Sequence, residues 1–143
     1  MKREIEFRGR TAKGEWVYGY HAKFRNYKNE EYSAIIPKDE ETGEAYMEDL
    51  HPVIPETVGQ YTGIKDKNGK KIFEGDIVKT KYGTMEVVYM ENFAKFAFKL
   101  IKTTGEKWTE NFICADIGNC FGLEKHLPEV IGNIFDKESD NGD

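Results

Sequence analysis

Two cysteines and one histidine in the last third of the chain are residue types that could bind a metal. Cys114, Cys120 and His126 follow one another at intervals of six residues. Structural zinc sites usually pair ligands two to four residues apart, as in a Cys-x-x-Cys knuckle, and the sequence contains no such pair. We therefore expect no metal and no cofactor. Both cysteines are expected to be small buried groups in a reducing compartment.

The other histidines give little support to catalysis. His21 and His51 have no cysteine or serine nucleophile beside them in the sequence. Nucleotide-binding loops of the types Gly-x-x-x-x-Gly-Lys-Ser/Thr and Gly-x-Gly-x-x-Gly are also absent from the sequence. With 26 acidic residues, pairs of carboxylates arise by chance, so an acidic nuclease site is only the least favoured alternative. The sequence predicts a protein that is not an enzyme.

Lysines alternate with aromatic residues in the third quarter of the chain. Residues 65–107 contain ten basic and six acidic side chains, and Phe96 and Phe98 stand between Lys95 and Lys99. Cations interleaved with aromatic rings suit single-stranded nucleic acid, in which bases stack and phosphates pair with lysine. The same alternation is typical of a half-buried strand with lysine in solvent and phenylalanine in the core. The candidate nucleic-acid residues are Lys79, Lys81, Lys95 and Lys99.

Charge is distributed in blocks along the chain, whose formal net charge is −5. Residues 1–28 contain eight basic and three acidic side chains, whereas residues 29–64 contain one basic and nine acidic ones. One interpretation is that solvated loops, such as Asp39–Glu44, carry the acid. The other is that the basic start of one copy meets the acidic segment of a second copy or of another protein. For that interface the candidate residues are Arg3, Arg8 and Arg10.

These side chains must be positioned mainly by β-strands. Between Glu15 and Arg25, aromatic and small residues from Trp16 to Phe24 fall on alternate positions, which predicts a half-buried strand with His21 on its solvent side. Ala12–Gly14 suits a hairpin before it, and Asn68-Gly69 predicts a second hairpin with a type I′ turn. Two prolines argue against an interior strand at His51–Pro55 because each removes a backbone donor. Asp76 is expected to cap a turn by accepting a backbone N–H.

The remaining elements favour a small barrel or sandwich over a parallel α/β fold. Short strands joined by turns follow from Ile77 to Ile113, and Val130–Phe135 predicts a last strand. One helix is plausible, within Ala115–His126, and residues 137–143 are expected to form a flexible tail. With no long apolar run and a charged Met1–Arg10, we expect neither a membrane span nor a signal peptide.

Five sequence blocks carry a family resemblance: Arg3–Gly9, Gly14–Gly19, Glu56–Gly63, Lys65–Val78 and Val130–Phe135. In these blocks the chain resembles the YopX family, small proteins of bacteriophages and prophages whose molecular role is not established. The resemblance implies a mostly β protein with an SH3-like barrel in its second half, and it implies no catalytic residues.

Taken together, these observations predict a mainly β protein with at most one or two short helices. An N-terminal β region is expected at residues 1–63 and an SH3-like barrel at 64–136. The expected function is that of a non-enzymatic phage or prophage accessory protein in the bacterial host cytoplasm. It would bind its own copies, as a homo-oligomer, or a host or phage protein. The alternative is nucleic-acid binding through the basic and aromatic face of residues 65–107.

Overall fold

The computed structural model describes residues 4–80, 83–103, 113–114 and 127–136. In these residues the chain is mainly β with antiparallel sheets, which confirms the predicted class. Helical structure there is limited to three single turns of 3₁₀ helix, Met47–Asp49, Glu91–Phe93 and Ile134–Asp136. The strands are β1 (Phe7–Arg10), β2 (Trp16–Arg25), β3 (Glu31–Pro37), β4 (His51–Lys65), β5 (Lys71–Phe73), β6 (Asp76–Thr80), β7 (Gly83–Met90), β8 (Lys95–Thr103), β9 (Ile113–Cys114) and β10 (Glu129–Asn133).

Two compact units make up the chain. Unit 1 is Met1–Tyr61 and unit 2 is Thr62–Asp143, so the boundary predicted after Gly63 lies two residues further along. The helix predicted in 115–126 and the tail predicted at 137–143 lie outside the described residues. No helix in the described part of the chain is long and apolar enough to cross a membrane.

In unit 1, four strands pair in sequence order and then return to the first strand. β1 pairs with β2, β2 with β3, β3 with β4, and β4 with β1. Phe7 illustrates the result, because it lies opposite Gly19 on β2 and opposite Gln60 on β4. The strand predicted across Glu15–Arg25 is confirmed as β2, but the predicted alternation of burial is not regular, because Tyr18 is exposed and His21 is half-buried. The buried apolar residues of this unit are Ala34, Ile35, Ile36, Val53 and Tyr61.

His51–Pro55 forms the start of strand β4, and no residue in it pairs with strands on both sides, as expected of a segment with two prolines. The prolines are tolerated because β4 changes partners along its length. Residues 51–53 pair with β3, and the pairing with β1 begins at Ile54, after which the register shifts. In this bulge Thr57 Oγ1 accepts a hydrogen bond from the Arg10 N–H at 2.8 Å and donates one to the Ile54 carbonyl at 2.6 Å. The Thr57 hydroxyl thereby provides hydrogen-bond partners for the Arg10 N–H and the Ile54 carbonyl, which regular strand pairing would provide from the backbone.

Gly19 lies where three strands of unit 1 come together, opposite Phe7 on β1 and Pro37 on β3. A Cβ atom at this position would be 2.0 Å from the carbonyl oxygen of Ile36. The clash is with backbone, so no side-chain rotation can relieve it. The β1–β2–β3 arrangement therefore requires glycine here.

Three hairpin turns share one five-residue geometry, at residues 11–15, 26–30 and 66–70. In each, the N–H of the fourth residue donates to the carbonyl of the first, and the first and fifth residues also pair, with N···O distances of 2.7–3.0 Å. The fourth residue has positive φ: 90° at Gly14, 64° at Asn29 and 81° at Gly69. This is a type I turn followed by a left-handed residue. The predicted hairpin at Asn68-Gly69 is confirmed, but the predicted type I′ turn is wrong, because Asn68 does not have positive φ.

A side-chain oxygen of the first residue strengthens each of these turns. Asn26 Oδ1 accepts the N–H groups of Lys28 and Glu30 at 2.9 and 3.0 Å. Asp66 Oδ1 accepts those of Asn68 and Lys70 at 2.9 and 2.8 Å. Thr11 Oγ1 accepts the Glu15 N–H at 3.2 Å. These bonds favour the type I geometry over type I′ because they hold the N–H groups of the turn toward its first residue.

Unit 2 contains a five-stranded antiparallel sheet in the order β10-β6-β7-β8-β9. One face of this sheet packs with Ile72 of β5 to form the core, whose other buried members are Val78, Met85, Val87, Phe98 and Leu100. Before β6, the N–H of Phe73 donates to Asp76 Oδ2 at 2.8 Å, so the predicted turn-capping role of Asp76 is confirmed. The last residues of β4 continue into this unit and pair with β5.

Asp66 joins the β4–β5 hairpin to β10, 64 residues further along the chain. Its Oδ2 accepts the N–H of Val130 at 3.0 Å, beside a backbone bond from Lys67 N–H to the Pro128 carbonyl. Burial of the Asp66 carboxyl raises its pKa. Hydrogen bonds from the N–H groups of Val130, Lys70 and Asn68, with the charge of Lys70, outweigh burial and hold the pKa below its usual value. The ionised carboxylate therefore stabilises the fold.

We predict that Gly19→Ala destabilises unit 1 by at least about 3 kcal/mol, because the new Cβ overlaps a backbone oxygen. Gly132→Ala is the matched control, since no atom lies within 4 Å of a Cβ built there. Its free energy of unfolding is expected to change by less than about 1 kcal/mol. Urea unfolding followed by circular dichroism measures both. Equal stability of the two variants would contradict the steric requirement at Gly19.

We predict that Asp66→Asn lowers the free energy of unfolding of unit 2 by about 1–3 kcal/mol at pH 7, because one carboxylate serves three backbone N–H groups. Since the pKa of Asp66 is lowered in the fold, its contribution is present above the unfolded-state pKa. It is lost as pH falls through the folded-state pKa. The difference between wild type and variant should therefore narrow from pH 7 toward pH 3.

Urea unfolding at several pH values measures this difference. Asp39→Asn is the control, since that exposed carboxylate accepts two backbone N–H groups within a local turn and joins no distant strand. An Asp66→Asn variant as stable as Asp39→Asn at pH 7 would contradict the proposed link to β10.

Candidate functional site

One face of the β1–β2 pair carries charged and aromatic side chains. Arg8 lies opposite Tyr18, and Arg10 lies opposite Trp16. The guanidinium carbons of Arg8 and Arg10 lie 4.5 and 5.5 Å from the centre of the Trp16 ring, within range of cation–π attraction. Arg8 is only 4% exposed, and Arg10 is half-buried with its Nε donating to the Gly14 carbonyl at 3.2 Å.

This placement determines which of the predicted interface residues, Arg3, Arg8 and Arg10, can reach a second molecule. Arg8 packs inside unit 1, so its charge is not presented to a second molecule. Arg10 presents only part of its side chain, and Arg3 lies outside the described residues. The part of the predicted arginine surface that the structure describes is therefore held largely within the fold.

A second charged group on unit 1 surrounds Lys38. Its ammonium lies 3.4 Å from Glu4 Oε2 and 3.6 Å from Glu6 Oε1, and it stands 5.8 Å from the centre of the Tyr20 ring. One carboxylate oxygen each from Glu4, Glu6 and Glu40 lies within 4.8 Å of the others, a spacing that could hold a cation. Lys38 already supplies a positive charge between two of these carboxylates, so the arrangement is explained by ion pairing.

The hairpin between β2 and β3 displays an aromatic ring at its tip. Tyr27 is 92% exposed, although the turn around it is fixed by the hydrogen bonds of Asn26 and by a 3.0 Å bond from Arg25 Nη1 to the Asn29 carbonyl. Lys23, Arg25 and Lys28 are exposed around it. Glu31 approaches the first two only loosely, at 4.0 and 3.9 Å. We call residues 23–31 the hairpin tip.

At the other end of β3, residues 39–49 form an acidic loop that leads to β4. Every acidic side chain in it is exposed, namely Asp39, Glu40, Glu41, Glu44, Glu48 and Asp49. The loop is ordered by a 2.7 Å bond from the Tyr20 hydroxyl to the Gly43 carbonyl. Bonds from the Thr42 and Glu41 N–H groups also lower the pKa of the Asp39 carboxyl. Tyr46 and Met47 are exposed in the same loop, by 54% and 57%.

In unit 2, the sheet separates the lysines of the predicted nucleic-acid face from its phenylalanines. Lys79, Lys95 and Lys99 are exposed, whereas Phe98 on the opposite face is fully buried. Acidic residues share the lysine face, because Lys99 pairs with Glu86 and Lys79 with Glu129 in register. Phe96 packs against Tyr89 with ring centres 5.1 Å apart. Lys81 lies outside the described residues.

His21 on β2 is half-buried, although the alternation predicts that it faces solvent. Its Nε2 atom is buried and has no hydrogen-bond partner in the described part of the chain, and its ring centre lies 5.8 Å from that of Phe7. Burial, with the charge of Lys23, holds the pKa of His21 below its usual value. The predicted exposure of His21 is met only in part, because its ring packs against Phe7 of β1.

Comparison with known proteins identifies the family. The YopX protein family model matches residues 6–139. The chain belongs to the YopX family. A crystal structure of protein EF1440 from Enterococcus faecalis is similar, with a TM-score of 0.53 and 21% sequence identity over 96% of this chain and 97% of that one. At that identity the likeness shows the fold alone. No curated protein matches the chain.

Within this YopX family protein, sequence reasoning missed the hairpin tip. The segment Asn26–Glu31 reads as a polar loop, and the signal that could have identified it is a single tyrosine between asparagines that favour a tight turn. The exposed cations Lys23 and Lys28 flank it. The acidic loop was visible in the sequence as a charge run, but its ordered backbone and exposed Tyr46 and Met47 were not.

We predict that the free energy of unfolding of this YopX family protein falls between pH 7.5 and pH 5.5 because of His21. Its pKa is lowered in the fold, so acid protonates the unfolded chain first and shifts the equilibrium toward it. The contribution of His21 to the free energy of unfolding is fully present above the unfolded-state pKa of histidine, and it is lost as pH falls below that value. His21→Phe keeps a ring against Phe7 and should flatten this slope. His51→Gln, at an exposed histidine, should retain it; urea unfolding that shows equal slopes for both variants would contradict the assignment.

Proposed function

We propose that this protein is a non-enzymatic accessory protein of a bacteriophage or prophage that acts in the bacterial cytoplasm by binding protein. Its partner is a further copy of itself or a host or phage protein. The observation that carries this proposal is Tyr27, 92% exposed on a turn that its neighbours hold rigid. Tyrosine is enriched at protein interfaces because it buries a large area at a small cost in conformational entropy.

Other exposed apolar side chains support the same function. Tyr46 and Met47 in unit 1 and Phe93 in unit 2 are each more than half exposed. Phe93 is the last residue of a single 3₁₀ turn, and Ala94, with a φ of 52°, follows it as the cap. An ordered turn that displays an apolar side chain loses little entropy when a partner covers it.

Nucleic-acid binding by residues 65–107 is the second candidate, with less support. Its lysines are exposed, but Glu86 and Glu129 share their face and reduce the positive potential there. Phe98 is buried and offers no ring for stacking on a base. We also propose that the sheet of unit 2 closes into an SH3-like barrel, as the family resemblance implies. This proposal about the fold is the same whether the ligand is a protein or a nucleic acid.

Site-specific photo-crosslinking in the bacterial host tests the proposed function. A benzophenone amino acid replaces Tyr27, Tyr46 or Phe93 in separate variants, and Lys13, an exposed residue on another turn, is the matched control. We expect protein adducts at Tyr27, and at one or both of the other aromatic positions, above the level at Lys13. A fifth variant with the probe at Lys99 reports on the nucleic-acid alternative. Adducts formed only with nucleic acid at Lys99, or none above the Lys13 level, would contradict the proposal.

A further inference from the structure

Unit 1 carries two exposed surfaces of opposite charge at the two ends of one strand. The hairpin tip, before and at the start of β3, exposes Lys23, Arg25 and Lys28 with Tyr27, and with Glu30 and Glu31 its net charge is +1. The acidic loop follows β3 and exposes six carboxylates together with Tyr46 and Met47. β3 contains seven residues, so the two surfaces are about 20 Å apart at roughly 3.3 Å per residue. At this separation the tip and the loop of one copy do not neutralise each other.

We infer that the hairpin tip of one copy binds the acidic loop of a second copy. The inference rests on the proposed function and names its partner and its surface. Tyr27 would enter the contact beside Tyr46 and Met47, where a thioether and an aromatic ring attract each other. Lysine and arginine around Tyr27 would face the carboxylates around the apolar centre, which gives both steering and specificity.

Both surfaces are ordered before they meet. Asn26 fixes the backbone of the tip through the N–H groups of Lys28 and Glu30. Asp39 does the same for the loop, because its Oδ1 accepts the N–H groups of Glu41 and Thr42 at 2.8 and 2.9 Å. Preformed partners lose less conformational entropy on association than flexible ones.

A second copy suits this pair of surfaces better than nucleic acid does. A long polyanion attracted to the tip would also meet the six carboxylates of the loop within the same unit. The chain as a whole carries a net charge of −5. A second copy, by contrast, supplies an acidic loop for the tip and a hairpin tip for the loop.

Two arrangements satisfy this contact. In a two-fold dimer each tip meets the loop of the other copy, whereas a head-to-tail contact leaves one tip and one loop unoccupied, so association continues until a ring closes or an open chain grows. In both arrangements the average mass should rise with concentration above that of a single chain. Because the contact is largely between exposed charges, it should weaken as salt is added.

Charge reversal on the full chain, measured by light scattering, tests the inference. In the tip variant, Lys23→Glu and Lys28→Glu place acid against the loop. In the loop variant, Glu41→Lys, Glu44→Lys, Glu48→Lys and Asp49→Lys change the charge of residues 39–49 from −6 to +2 and place lysine against the tip. Each variant alone should associate at least about tenfold more weakly than wild type. The chain that carries all six substitutions has a tip of charge −3 and a loop of charge +2, and it should associate again because tip and loop are once more opposite in sign.

The control variant is Lys79→Glu with Lys99→Glu, which changes net charge as the tip variant does but on unit 2, and it should associate like wild type. Tyr27→Ala should also weaken association, and it removes only an exposed side chain. Circular dichroism confirms that each variant is folded.

The possible outcomes separate the inference from the proposed function. A wild-type chain that stays at 16.5 kDa at all concentrations in low salt overturns the inference. So does association that the tip and loop variants leave unchanged, or a combined variant with all six substitutions that associates as weakly as either parent. In those cases the proposed function stands only if photo-crosslinking yields protein adducts. Failure of both experiments overturns both.

Discussion

The folds of both units depend on hairpin turns in which a side-chain oxygen of the first residue holds the backbone of the residues that follow. Thr11, Asn26 and Asp66 each act in this way, and each is followed three residues later by a residue in the left-handed region. A turn of fixed length sets the register of its two strands, and register decides which side chains share a face. At Asp66 the same carboxylate also holds β10, so one group fixes a local turn and a contact 64 residues away.

Unit 1 shows how far the charge of a segment can differ from the charge of its surface. The basic start of the chain suggests an arginine surface, yet Arg8 is buried against Trp16, and Glu6, 3% exposed, is paired with Lys38. What unit 1 presents instead is the tip cations at one end of β3 and the carboxylates of residues 39–49 at the other. The exposure of these two surfaces at opposite ends of β3 depends on how the strands of unit 1 pair and not on the net charge of the sequence blocks.

Local patterns in the sequence predict most of the strands. The strand around Trp16, the hairpin at Asn68-Gly69 and the cap at Asp76 all depend on residues close together in the chain, and the structure confirms them. What the sequence does not show concerns contacts between distant segments. The change of partner along β4 and the packing of His21 against Phe7 both depend on strand pairings that no short window of sequence contains. The type I turn at 66–69 depends on where the Asp66 carboxylate points.

The most direct test of this account is a dilution series of the ¹⁵N-labelled chain, followed by backbone amide chemical shifts at low and high salt. If the hairpin tip binds the acidic loop of another copy, shifts of residues 23–31 and of residues 39–49 will change together with concentration. Added salt will reverse both sets of changes. Shifts that do not depend on concentration, or that change only on the exposed face of the unit 2 sheet around Lys79 and Lys99, would contradict it.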